Sequence, residues 1–326
     1  IDISNFAKYI CKGPGAEKWL NSVFANKMPS KNHRSCLTPL ISVFGGVAGD
    51  ATVSKIADDK FWIISSGISE RYQKRFYKSV PLPENTSFQS RTDEMCGFNI
   101  AGPKSREILQ RLSNQDLSNK NWPFMHSGNL SIAGVSCLAL RISFTGDLGW
   151  EIYCETSKQH IVYDALVQEA FNEGGGPVGS RALMSLRIEK GYGSWSREYS
   201  PEVWPHECGL DKLCKLDKEF LNKGELAKKL KTKPRESLML IHLNEEDCRS
   251  SNADATGGEP VFKDGKGLGR ITSGAYGYTV GMSLALGYLK DVIPGDNVEV
   301  MVLGQPHRGK ILKAAPFDPD GAILRG

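Results

Sequence analysis

The chain has 326 residues, of which 40% are hydrophobic and 24% are charged, a balance typical of a globular protein of about two domains. Its 41 basic and 37 acidic residues leave a net charge of +4, which is too small to favour nucleic acid as a partner. No apolar run approaches the roughly 20 residues that a membrane-spanning helix needs, which argues against a membrane protein.

An internal repeat is the first feature along the chain. A strand-like segment precedes Gly13-Pro14 and a helical pattern follows it, and the same arrangement surrounds Gly102-Pro103. When the two copies are aligned on Gly-Pro, apolar residues coincide at helical spacing: Trp19 with Ile108, Leu20 with Leu109, and Val23 with Leu112. Two copies of a strand–turn–helix unit predict a duplicated α+β subdomain.

Further elements follow each copy of the repeat. Alternating apolar residues predict strands, and apolar residues at helical spacing predict helices. The predicted strands cover 51–56, 61–65, 130–135, 137–143 and 150–154, and the predicted helices cover 70–80, 161–171 and 181–192.

The pattern changes near residue 230, where helical periodicity largely ends. Short strands between glycine turns predict a small antiparallel barrel or sandwich. These strands cover 238–243, 260–262, 267–271, 284–288, 298–302 and 309–313. We therefore expect two domains, residues 1–228 and residues 229–326.

Several common types of site are not indicated. The eight cysteines occur singly, without C-x-x-C or zinc spacing, which predicts a reducing compartment and no metal site. The six histidines are isolated and accompany no nucleophile motif of a hydrolase. The segment 174–179 matches G-x-G-x-x-G, but it follows a helix instead of a strand. This context predicts a helix end and a turn, not a flavin or nicotinamide site.

Two glycine-rich stretches contain an acidic residue. Asp50 lies between a Gly-rich turn and the start of a strand, where it either stabilises the turn or serves as a functional carboxylate. Glu151 lies inside an apolar strand, and strand alternation would allow it to point to solvent. If it is buried, it needs a partner, and it suits a group with two parallel N–H donors such as the edge of a pterin.

A third candidate is Arg181, in the first turn of the helix predicted after residue 180. A cation at a helix N-terminus opposes the helix dipole. We therefore expect an anionic partner for Arg181, supplied by the fold or by a ligand.

Successive motifs along the whole chain resemble one family. They are IDISNFAKYICKGPGAEKWL, FGGVAGDATV, IAGPKSREIL, ISFTGDLGWEIY, SLRIEKGYGSW, HECGLDKLCKLDKEF, ITSGAYGY and PFDP. In this order they resemble the folate-binding half of dimethylglycine and sarcosine dehydrogenases. More distantly, they resemble the glycine-cleavage T-protein, an aminomethyltransferase.

The resemblance implies an α+β fold with three parts. Two pseudo-symmetric, ferredoxin-like, folate-binding subdomains would precede a small C-terminal antiparallel β-barrel. The three parts would pack as a cloverleaf around a central channel.

The resemblance also implies a chemistry. Tetrahydrofolate would take a one-carbon unit from an aminomethyl or iminium donor and become methylene-tetrahydrofolate. Asp50 corresponds to the catalytic carboxylate, Glu151 to the pterin-binding carboxylate and Arg181 to a folate-contacting arginine. Phe144 replaces a family tyrosine that stacks on the pterin, and Ser66 replaces a family asparagine.

The position of Ile1 fits a module of a longer protein. The chain begins with Ile1 in a strand-like segment, so we expect missing upstream residues. In the dehydrogenases, FAD binds to a preceding domain, so FAD is expected outside this chain, on an upstream domain or a partner subunit. The compartment implied is the bacterial cytoplasm or the mitochondrial matrix.

Two alternative functions remain open from the sequence. The chain fits a non-catalytic folate-binding module, a role that some proteins of this fold have, although the presence of Asp50 disfavours it. It also fits a folate-dependent demethylase of another methyl donor, which would yield methyl-tetrahydrofolate instead of the methylene form.

Overall fold

A computed structural model describes residues 1–326. The first subdomain is a five-stranded antiparallel sheet in the order β2-β3-β4-β1-β5, with helices on one face. Its elements are β1 (Ala7–Lys12), α1 (Ala16–Val23), β2 (Arg34–Ile41), β3 (Val47–Ala57), β4 (Lys60–Ser65), α2 (Glu70–Ser79) and β5 (Ser87–Ser90). Helix α1 forms because its apolar residues share one face, and that face is buried on the sheet.

The second subdomain repeats this arrangement. Its elements are β6 (Met95–Ala101), α3 (Ser105–Leu112), β7 (Ser127–Ile132), β8 (Val135–Leu140), β9 (Gly149–Glu155) and α4 (Gln159–Asn172). The strand order β7-β8-β9-β6 reproduces β2-β3-β4-β1. Gly13 and Gly102 have φ values of 127° and 124°, which favour glycine at both equivalent turns. The predicted duplication is therefore confirmed.

The two sheets exchange short strands at their edges. The segment just before β6 is β5, and it pairs with β1 of the first subdomain. Reciprocally, the segment just before β1 pairs with β6 of the second subdomain. In that pairing the amide of Ile3 donates to the carbonyl of Gly97 at 2.8 Å, and the amide of Asn99 donates to the carbonyl of Ile1 at 2.8 Å. In chain order β5 begins the second repeat and residues 1–3 begin the first, so each repeat begins with a short segment that joins the sheet of the other.

The sheets face each other through the surfaces that their helices do not cover, which we call the inner faces. One hydrophobic cluster joins them and contains Trp62 and Ile64 of β4, Leu138 and Leu140 of β8, and Tyr153 of β9. The helix-covered faces have separate cores. Side chains that alternate with those cores along a strand therefore point toward the other subdomain.

The remaining residues form a connection and a barrel. Their elements are α5 (Ser180–Glu189), α6 (Lys223–Leu230), β10 (Ser237–Leu243), α7 (Glu245–Ser251), β11 (Pro260–Lys263), β12 (Lys266–Gly277), β13 (Met282–Leu289), β14 (Asn297–Val302), β15 (Gln305–Ile311) and α8 (Ala322–Arg325). The strands close into an antiparallel barrel in the order β10-β13-β12-β11-β14-β15. The predicted α+β fold with a C-terminal barrel is confirmed.

The connection between the domains lies on the first subdomain. Leu226 of α6 packs with Ala25 and Ile41, while the first barrel strand begins at Ser237. We propose residues 1–228 as one domain, which contains both subdomains, and residues 229–326 as the barrel domain. None of the helices combines the length and the apolar character that crossing a membrane demands.

Candidate functional site

Asp50 lies on β3, on the inner face of the first sheet. Its neighbours Gly49 and Ala51 point to the helix-covered side, because Ala51 belongs to that core and a Cβ at Gly49 would lie 2.2 Å from Nε2 of Gln73 on α2. Strand alternation then directs Asp50 toward the second subdomain. The Gly-rich turn before it (Ser42–Gly46) is held closed by Ser42, whose Oγ accepts the amide of Gly46 at 3.0 Å.

The carboxylate of Asp50 has an uncompensated oxygen. The residue as a whole is partly exposed, but Oδ1 is buried and no protein group donates a hydrogen bond to it. Burial raises the pKa of Asp50 to about 6, and its own backbone N–H opposes that shift. A buried acceptor without a partner is costly, and such a cost is typical of a functional group that awaits a ligand.

Ser66 and Tyr199 lie near Asp50. Ala51 pairs with Ser65, so continuing the antiparallel register by one residue places Ser66 beside Asp50. Tyr199 arrives from the connection between α5 and α6, and the charge of Asp50 contributes, after burial, to a raised pKa of the Tyr199 phenol. The register thus places Ser66 beside Asp50, and Tyr199 is close enough to feel the charge of its carboxylate. Of these two residues the sequence predicted only Ser66.

Glu151 lies on β9, on the inner face of the second sheet. It pairs with Leu140 of β8 and Asn99 of β6, and Leu140 belongs to the cluster between the sheets. Glu151 is buried, so the alternative that it points to solvent is wrong. Burial raises the pKa of Glu151 to about 7, while a hydrogen bond from Tyr153 lowers it.

Two polar groups accompany Glu151. The Tyr153 hydroxyl donates to Oε2 of Glu151 at 2.7 Å, which leaves Oε1 for another donor. Asn99 donates from Nδ2 to the carbonyl of Trp150 at 3.1 Å, and its buried Oδ1 has no partner. Tyr153 was detectable in the sequence, because residues two apart on a strand share a face.

The two remaining predicted residues lie elsewhere. Phe144 follows β8 and stacks on Tyr192, with ring centroids 6.2 Å apart and an interplanar angle of 16°. Arg181 is exposed in the first turn of α5 and forms no salt bridge, so the fold itself supplies no anionic partner. The structure places Asp50, Ser66 and Glu151 on facing sheets, whereas Arg181 lies at the surface.

A buried ion pair fixes the segment that carries Tyr199. Arg187 of α5 donates from Nη1 to Oε2 of Glu198 at 2.8 Å, and both side chains have 0% exposure. Oε1 of Glu198 accepts hydrogen bonds from Thr272, at 2.8 Å, and from Ser273, both on β12 of the barrel. Because Tyr199 is the next residue, this network ties the surroundings of Asp50 to the barrel.

The inner faces carry acceptor groups of the kind that could hold the N–H donors of a reduced pterin. Glu151 can accept paired N–H donors, the free Oδ1 of Asn99 can accept another, and Asp50 supplies a carboxylate on the opposite sheet. No group of three or more His, Cys, Asp or Glu side chains is arranged to hold a metal ion.

Known proteins with related sequences agree with this architecture. The mitochondrial dimethylglycine dehydrogenase of Mus musculus is 31% identical over 320 residues, which cover 96% of this chain and 36% of that protein. The aminomethyltransferase of Thermotoga neapolitana is 28% identical over 97% of this chain and 88% of its own length. This chain therefore spans little more than a third of the dehydrogenases that it matches.

A solved structure shares the fold over nearly the whole chain. The glycine cleavage aminomethyltransferase T of Bartonella henselae superposes with a TM-score of 0.86 at 17% identity, covering 98% of this chain and 86% of that one. Residues 1–218 match the GCVT N-terminal domain, and residues 240–318 match the glycine cleavage T-protein C-terminal barrel domain. The chain therefore belongs to the glycine cleavage T-protein family of aminomethyltransferase enzymes, as its ordered motifs predict.

Proposed function

We propose that this chain transfers a one-carbon unit from an N-methyl amine or aminomethyl donor to tetrahydrofolate, forming methylene-tetrahydrofolate. The observation that carries the proposal is the carboxylate of Asp50, whose buried Oδ1 has no partner and whose pKa is raised to about 6. Such a group is ionised at neutral pH and remains a competent proton acceptor.

Asp50 has two tasks in this reaction. Tetrahydrofolate supplies the nucleophilic nitrogens that receive the one-carbon unit, and their two N–H protons end on the released amine. The Asp50 carboxylate accepts and returns a proton during that exchange, and its negative charge stabilises the cationic iminium donor. The hydroxyl groups of Ser66 and Tyr199 lie on the same side of the site as this carboxylate and supply polar surroundings for the reacting groups.

Glu151 binds the other end of the substrate. Its Oε1 is free, and its Oε2 accepts a hydrogen bond from Tyr153. The two oxygens of this carboxylate suit the paired N–H donors of a pterin. We assign stacking on the pterin to Phe144 and a contact with the negatively charged tail of folate to Arg181. Both assignments rest on the resemblance of the motifs.

The donor comes from another part of a larger enzyme in our proposal. The chain covers 36% of the mouse dimethylglycine dehydrogenase, which leaves room for a flavin domain upstream or on a partner subunit. That domain would oxidise an N-methyl amine, such as dimethylglycine or sarcosine, to the iminium. All eight cysteines are free thiols, which supports the bacterial cytoplasm or the mitochondrial matrix as the compartment.

The product of the reaction tests the proposal. Incubation of the protein with tetrahydrofolate and formaldehyde-generated iminium of glycine should yield methylene-tetrahydrofolate, identified by the mass of the folate product. In a parallel reaction, a sulfonium methyl donor replaces the iminium, and methyl-tetrahydrofolate as the product would support a demethylase instead. Folate binding with no transfer above the uncatalysed rate would show a binding module and contradict the proposal.

Folate affinity should depend on pH through Glu151. Burial raises its pKa to about 7, so the carboxylate that binds N–H donors is lost as the pH falls below that value. We expect the Kd for tetrahydrofolate to be about tenfold higher at pH 6 than at pH 8, as for one group of that pKa. Isothermal titration calorimetry under anaerobic conditions measures it. In Glu151→Gln the affinity should be weaker at both values and should no longer change with pH.

A further inference from the structure

A second polar site lies behind the sheet that carries Glu151. Arg141 follows β8 and points to the helix-covered face, where its side chain has 0% exposure. Nη1 donates to the carbonyl of Gly149 at a long 3.4 Å, and no protein atom pairs with Nε or Nη2. The guanidinium lies over the ring of Trp150, 4.7 Å from its centroid.

A second guanidinium contacts the same ring. Arg106 of α3 lies 5.4 Å from the centroid of Trp150 and donates from Nη1 to the carbonyl of Leu117. No carboxylate forms a salt bridge with either arginine. Burial lowers the pKa of Arg141 to about 10, with the positive charge of Arg106 as the second cause. Two neighbouring cations without a counter-charge are costly unless an anion joins them.

The two unpaired ends converge on one point. A Cβ built on Gly326 would lie 2.8 Å from Nη2 of Arg106 and 2.8 Å from Nη2 of Arg141. The backbone there belongs to the segment that contains α8, which is fastened by Asp318, whose carboxylate accepts the amides of Ile323 and Leu324. The space between the guanidiniums is therefore small, and the C-terminal segment covers it.

We propose that Arg106 and Arg141 form an oxyanion site for a carboxylate or phosphate group beneath the segment 322–326. Guanidinium groups bind both anions with paired N–H donors, and the face of Trp150 holds the planar groups in place. Since Trp150 precedes Glu151 on β9, the bound anion steadies the strand that supplies the inner face. The site is on the opposite face of the sheet, so it does not depend on the proposed function.

The anion has two sources that an experiment can separate. It is either a soluble oxyanion or a carboxylate carried by the polypeptide on the C-terminal side of Gly321. Thermal unfolding is measured in roughly 20 mM inorganic phosphate and in chloride at the same ionic strength, for the full chain and for a variant that ends at Gly321. A soluble anion should raise the Tm of the full chain by roughly 2–4 °C in phosphate. A polypeptide carboxylate should leave the full chain unresponsive and make only the shortened variant respond.

Two substitutions on α3 control for general effects of phosphate. Each substitution is made in the length of chain that responds to phosphate. Arg106→Gln should abolish that rise in Tm, and the variant should still fold, because Arg106 is only half-buried. Arg111→Gln should keep it, because Arg111 pairs with Glu169 at 2.6 Å and with Glu173 at 2.8 Å. The proposal is overturned if neither length of chain responds to phosphate. A response of equal size in Arg106→Gln and Arg111→Gln would overturn it too.

Discussion

Replacing Asp50 with asparagine should reduce the formation of methylene-tetrahydrofolate by roughly two orders of magnitude or more, while the protein still folds. Asparagine keeps the size of the side chain but loses both the negative charge and the ability to accept a proton. Folding should survive, because Oδ1 of Asp50 makes no hydrogen bond that the substitution would break. Quenched-flow assays with saturating tetrahydrofolate measure the rate at which methylene-tetrahydrofolate forms.

The pH profile separates a chemical role of Asp50 from a structural one. Burial raises its pKa to about 6, so the wild-type rate should fall as the pH is lowered through that value. The Asp50→Asn variant should show no such decline. A suitable control is Asp93→Asn, since Asp93 is an exposed acid in the turn before β6. Normal turnover in Asp50→Asn would show that another group performs the chemistry.

The duplicated fold could be predicted because its helices repeat a pattern of buried residues. Trp19, Leu20, Ile108 and Leu109 are all buried where the Gly-Pro alignment places them in register. Strand β2 was missed, because Pro39 lies inside it and proline disfavours a strand interior. It is tolerated there because β2 is an edge strand of its sheet.

The strand exchange could not be predicted from the sequence. Residues 1–3 and β5 are too short to show a period, and each pairs with a strand of the other repeat. Such pairings depend on tertiary contacts between residues far apart in the chain, which local patterns do not encode.

The candidate site, like the fold, could be predicted only in part from the sequence. The strand that carries Glu151 follows from its apolar residues, and Tyr153 follows from strand alternation, but the sequence left open whether Glu151 is buried. Tyr199 had no local signal, because its proximity to Asp50 depends on the ion pair between Arg187 and Glu198. Glu198 lies outside the helix that carries Arg187, so helical spacing does not indicate this pair.

Breaking the ion pair between Arg187 and Glu198 should be strongly destabilising. In Glu198→Gln the guanidinium of Arg187 remains buried without a counter-charge, for which a loss of about 3–5 kcal/mol in the free energy of unfolding is expected. The bonds of Glu198 with Thr272 and Ser273 would also weaken, because an amide accepts hydrogen bonds less strongly than a carboxylate. Urea denaturation followed by tryptophan fluorescence measures the loss.

The same substitution at the surface is the matched control. Glu219→Gln removes an ion pair with Lys223 at 2.6 Å, but Glu219 is 88% exposed, so we expect a loss of at most about 1 kcal/mol. The double variant Arg187→Met with Glu198→Gln should recover part of the lost stability, because no unpaired charge then stays buried. Transfer activity should nevertheless remain low in it, because the ion pair also positions the segment that carries Tyr199 near Asp50. If Glu198→Gln is no less stable than Glu219→Gln, solvent or local rearrangement compensates Arg187, and the ion pair does not fix this wall of the site.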